Sequence, residues 1–115
     1  MSINLTPTGS LEIVLSGAVA TTALPCNASY VDIQDSDQSV VGVGDNDGVA
    51  TGTGTLTLVS SPSSGRHRVI KSVTVYNADT TGATVTVRKN NGTTTRVLLK
   101  PLLSVGDTLM GAAND

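Results

Sequence analysis

The feature that most limits what this chain can become is its alternation of apolar and polar residues at period two, broken by turn residues every eight to twelve positions. Successive side chains of a strand point to opposite faces, so such a chain folds into half-buried strands joined by short turns, as in a sandwich or barrel. No heptad and no sustained 3.6-residue period competes with it. Residues 11–16 place Leu11, Ile13 and Leu15 on one face. Residues 28–34 set Val31 and Ile33 on one face against Tyr30 and Asp32 on the other. Leu56 and Leu58 mark a short strand over 55–60. From Arg68 to Asn77, Val69, Val73 and Val75 share a face that Lys71 interrupts. A turn follows at 77–82, and then Val85 and Val87 point inward while Thr84, Thr86 and Arg88 point out. Asn91-Gly92 is a strong hairpin signal because both residues tolerate positive φ; residues 94–100 return as its partner strand. The expected fold is all-β: an antiparallel β-sandwich, jelly-roll or Ig-like, of about seven or eight strands within one domain over 1–115. Two segments stand outside the alternation. Residues 1–10 read as an extended arm, and 35–54 read as a Gly- and Asp-rich loop with a strand fragment at Val40, Val41 and Val43.

The core available to these strands is aliphatic. The chain has no Phe or Trp and two Tyr, so Val, Leu and Ile must fill the interior, each contributing roughly 1.5–3 kcal/mol when buried. A core of that kind is thin, and thin cores gain stability from a partner surface. Charged residues make up 14% of the chain, against about 25% in ordinary soluble domains, which fits a surface that lies against other protein.

The net charge of −2 conceals a split. All seven Lys and Arg, and the single His67, lie at or after position 66, whereas six of the nine acids (Glu12, Asp32, Asp35, Asp37, Asp45 and Asp47) precede it. Nucleic-acid binding calls for clustered bases with aromatic stacking partners; dispersed bases without Phe or Trp argue against it. Nothing approaches the roughly 20 apolar residues of a membrane span. Residues 11–26 do not make a secretory signal, since Glu12 interrupts the apolar run and Pro25 precedes the cysteine. The expectation is a soluble protein made in the cytoplasm. One cysteine, Cys26, leaves no partner for an internal disulfide and reads as a small buried hydrophobe.

Candidate chemistry is sparse. Asp35, Asp37, Asp45 and Asp47 have the residue types of a calcium loop, but position 56, twelve from Asp45, is Leu where the closing Glu would stand, so a solvated loop and no metal is expected. Gly42-Val43-Gly44 and Gly52-Thr53-Gly54 lack the Lys-Ser/Thr of a phosphate loop. His67 lies between Arg66 and Arg68, a setting that suits a surface contact better than a general base. The reading is no enzyme, no catalytic residue and no cofactor. Of Arg66, Arg68, Lys71, Arg88, Lys89, Arg96 and Lys100, several fall on three strands read as adjoining, and could present one basic sheet face to an acidic partner; the alternative is ordinary solvated strand faces.

Residues 10–19 (SLEIVLSGAV) and 24–33 (LPCNASYVDI), with 68–77 (RVIKSVTVYN), 83–88 (ATVTVR) and 105–109 (VGDTL), resemble small β-sandwich structural proteins of tailed-bacteriophage virions. The resemblance spans most of the chain through motifs of modest specificity. It implies a head decoration, or cement, protein on the capsid exterior, whose partners are the major capsid protein and further copies of itself, a trimer by analogy with such proteins. The contacts would be made by Ile3 and Leu5 on the arm and by Arg66, Arg68, Lys71, Arg88 and Arg96. The alternative is a tail-associated adaptor or host-binding module presenting loops to a glycan.

Overall fold

The computed structural model describes residues 3–112. They form ten strands: β1 (Ile3–Leu5), β2 (Ser10–Leu15), β3 (Leu24–Gln34), β4 (Val40–Ala50), β5 (Leu56–Val59), β6 (Arg66–Tyr76), β7 (Ala83–Asn90), β8 (Thr95–Leu99), β9 (Leu102–Leu103) and β10 (Thr108–Ala112). No helix among the described residues is long and apolar enough to cross a membrane. The strands build two antiparallel sheets packed as a β-sandwich. The first runs β1-β6-β3-β4 with β10 also on β6; the second runs β5-β2-β7-β8 with β9 also on β7. In each sheet two short strands share one edge: β1 and β10 pair with successive stretches of β6, and β8 and β9 with successive stretches of β7. Ten strands thus fill eight positions, which reconciles them with the seven or eight expected.

The core is aliphatic throughout. Leu11, Ile13 and Leu15 of β2 meet Val85 and Val87 of β7 on one inner face, opposed by Leu24, Cys26 and Ala28 of β3 and by Ile70, Val73 and Val75 of β6. Four sequence expectations are corrected. Ile3 and Leu5 are not on a free arm: β1 pairs with β6 at Ile3↔Ile70 and Leu5↔Arg68, and both side chains are buried. An edge position on β6 was open, and two apolar residues at alternate positions fill it. Met1 and Ser2 of the expected arm lie outside the described residues.

Residues 35–54 are not a long loop. Val40–Ala50 is a full strand, paired with β3 from Leu24↔Ala50 to Ile33↔Val40, and the turn is confined to 35–39, where Gln38 takes a left-handed φ of 60°. Glycine ordinarily weakens a strand, but it also marks close approach. Gly42, Gly44 and Gly48 face inward beneath Asp32, Tyr30 and Leu56 respectively; the Tyr30 ring occupies the space a Cβ on Gly44 would need and Leu56 crowds that of Gly48, whereas Asp32 leaves ordinary contact room at Gly42.

The third and fourth corrections concern which faces are buried. On β6, Ser72 pairs with Ser29 and Ile70 with Tyr30, leaving Lys71 as a bulge. That extra residue reverses the parity, so Ile70, Val73 and Val75 are buried and Val69 faces out. On β3 the inner run is Leu24, Cys26, Ala28, Tyr30 and Asp32; Val31 and Ile33 lie on the outer face.

Candidate interaction surface

The most elaborate polar group is on the inner side of the β3–β4–β6 end. Arg68 donates from Nε to Asp32 Oδ1 at 2.7 Å and from Nη2 to Oδ2 at 3.0 Å, and its Nη1 reaches the Ser60 carbonyl at 2.9 Å. Its Cζ stands 4.2 Å from the Tyr30 ring centroid, a cation–π contact. The guanidinium holds the Asp32 carboxyl below its ordinary range, its hydrogen bond outweighing the opposing effect of burial. Bridging β3, β6 and the segment before β6, the cluster is a clamp. Alternation alone places Asp32 on a polar outer face and gives no sign of it; opposite charges 36 positions apart were the one available signal.

A second clamp closes the turn after β6. Asp79 accepts from the backbone N–H of Ala20 (2.7 Å), Thr21 (2.8 Å) and Thr22 (3.1 Å), and these bonds hold its carboxyl far below the usual range. Asn77 donates to the carbonyls of Thr81 and Leu103, both at 3.0 Å.

The seven cations do not form one basic face. The turn between β6 and β7 carries the chain from one sheet to the other, so Arg66, Arg68 and Lys71 belong to the first sheet and Arg88, Lys89 and Arg96 to the second. Consecutive strands were read as neighbours, whereas sandwich packing separates them. Two of the cations are also engaged: Arg68 with Asp32, and Arg88, whose Nε lies 2.8 Å from Glu12 Oε1. Lys71 and Arg96 are exposed and Arg66 half-buried.

The expected aspartate group divides likewise. Asp35 sits in the hairpin turn with its Oδ1 2.7 Å from His67 Nδ1. Asp37 accepts from the Ser39 N–H and hydroxyl, which lower its carboxyl pKa. Asp45 and Asp47 lie on mid-strand β4, where the Asn27 amide donates to each at 2.6 Å. Among the described residues no three of His, Cys, Asp and Glu come close enough to share a metal ion. Cys26 is in the core, its thiol pushed up to about 11 by burial.

What the surface does offer is the outer face of the first sheet. Register places Val43, Val31, Val69 and Asn4 in one row, Asp45, Ser29 and Ser72 in the next, and Asp47, Asn27, Thr74 and Met110 in a third. No Lys or Arg stands in these rows. Val43 is 77% exposed and Met110 71%, with Val40 and Val49 also more than half exposed. At one end, Pro25, Asn27, Asp47, Val49, Thr74, Tyr76 and Thr108 line an open groove of about 660 Å³. Among the strands that end their sheets are β4, and β8 with exposed Val97. Compared with protein-family models, with curated proteins and with solved structures, the chain matches none.

Proposed function

We propose that this chain is a non-enzymatic structural β-sandwich whose work is done by contact with other protein. The observation that carries this reading is the outer face of the first sheet, where exposed Val40, Val43, Val49 and Met110 surround short polar side chains. Exposed apolar area of this kind marks a surface that is covered in the working assembly. Within that class, the resemblance of residues 10–19, 24–33, 68–77, 83–88 and 105–109 to tailed-phage virion proteins supports a head decoration protein. It would bind the capsid exterior, clamp neighbouring major capsid subunits and associate with itself, as a trimer by analogy. Of the contact residues read from the sequence, Arg66, Lys71 and Arg96 remain candidates, since Ile3 and Leu5 are in the core and Arg68 and Arg88 are held by carboxylates.

The groove beside half-exposed Tyr76 favours a second reading. An aromatic face flanked by Asn27, Asp47 and Thr74 has the chemistry that holds a sugar ring, as a tail-associated host-binding module would need.

The test is to locate the protein on purified virions and to mix it with empty heads. Binding to heads with protection against their disruption is the expected result. A monomer at micromolar concentration that leaves heads unbound would remove the decoration reading, and a tail location would promote the second.

A further inference from the structure

Ion pairs within the chain use up some of its charges and leave others in a telling arrangement. Among the described residues, Asp32 and Glu12 form ion pairs with Arg68 and Arg88, and Asp35 is hydrogen-bonded to His67. Asp79 is taken by backbone N–H groups, Asp37 by Ser39, and Asp107 accepts the Ser104 N–H at 3.2 Å. The carboxylates with no cation within 4 Å and only the Asn27 amide as donor are Asp45 and Asp47, both exposed on β4. The cations without a carboxylate include Lys89 and Arg96, cross-strand neighbours in register on β7 and β8.

β4 and β8 are also terminal strands, one in each sheet. Neither has a backbone partner on its open side among the described residues. β4 lies against β5 across the sandwich, and β5 is at the opposite end of its sheet from β8. The acidic edge and the basic edge are therefore on opposite flanks of the molecule.

We infer that β4 of one copy pairs with β8 of a second copy, joining the first sheet of one to the second sheet of the next. The inference rests on the proposed self-association and names its surface. Pairing would satisfy the open N–H and C=O groups of both strands, bring Asp45 and Asp47 beside Arg96, with Lys89 one strand further in, and cover Val97. Like-with-like alternatives are disfavoured: antiparallel β4 pairing centred on its middle sets Asp45 against Asp45 or Asp47, and like charges directly opposite destabilise a ladder. Contact between different patches on opposite flanks is head-to-tail, and closes into a ring when the rotation per copy fits.

The experiment is sedimentation velocity of the full chain at micromolar concentration, with charge reversal on each edge. Arg96→Glu alone, and Asp45→Arg with Asp47→Arg, should each raise the dissociation constant tenfold or more. An equimolar mixture of the two variants should restore association between unlike copies, because the unchanged edge of each meets its complement and the two reversed edges also match; a closed trimer of the mixture would keep one mismatched contact. Circular dichroism checks that the variants fold. If they do not, Asp45→Cys with Arg96→Cys in the otherwise unchanged chain should give disulfide-linked multimers on oxidation. Association that persists unchanged in folded charge-reversed variants, or a double-cysteine chain that stays uncrosslinked while associated, overturns the β4–β8 contact and leaves self-association standing. A wild-type monomer overturns both.

Discussion

Arg68 grips both carboxylate oxygens of Asp32, at 2.7 and 3.0 Å, while lying over the Tyr30 ring. Only 12% of either side chain of the ion pair is exposed. Removing one partner leaves the other charge buried, which costs about 3 kcal/mol. Arg68→Met should therefore lower stability by roughly that amount in a urea titration, and adding Asp32→Leu should recover part of the loss. The pair also sets a pH dependence. The folded-state pKa of Asp32 lies below its unfolded value, so the stabilisation is complete above an unfolded carboxylate pKa of about 4 and is lost as pH falls through the folded value. Arg68→Met should flatten that acid limb in melting curves below pH 4; an unchanged limb would show that other carboxylates dominate it.

Leu5 is fully buried although β1, the strand that carries it, is only three residues long. Leu5→Ala should destabilise the fold by about 2–5 kcal/mol, measured by chemical denaturation. An arm free to reach a partner would show no such effect.

Tyr30 and Gly44 face one another across β3 and β4, and a Cβ on Gly44 would overlap the Tyr30 ring. The ring is held by Arg68 and by the core, so it cannot simply swing away. Gly44→Ala should cost about 1–3 kcal/mol. In the Tyr30→Leu background the same substitution should cost less, a coupling that a double-mutant cycle reads directly.

The Cys26 thiol is 3% exposed and its pKa is raised to about 11. At neutral pH a thiol reagent should leave the native protein unmodified and label it stoichiometrically in denaturant. Fast labelling of the folded chain would show that the β3–β4–β6 sheet opens readily.

Alternation in the sequence was enough to determine an all-β sandwich, the inward faces of β2 and β7, and an aliphatic core, because a period of two leaves no other way to bury Leu11, Ile13, Leu15, Val85 and Val87 together. It also located the turns after Tyr76 and at Asn91-Gly92. The tertiary structure alone decided the rest. Whether Val40–Ala50 is loop or strand depends on Tyr30 and Leu56 needing the space that Gly44 and Gly48 leave open, and no local pattern encodes that need. Parity on β6 was settled by one bulged residue, Lys71, whose position is fixed by register with β3. The fate of the charges depended on which strands share a sheet. Asp32 became a buried partner, Arg66 and Arg96 were separated, and Asp45 and Asp47 were left on an open edge. Charges act through space, and the short distances between residues 32 and 68, or 12 and 88, exist only once β3 has paired with β6 and β2 with β7 in register.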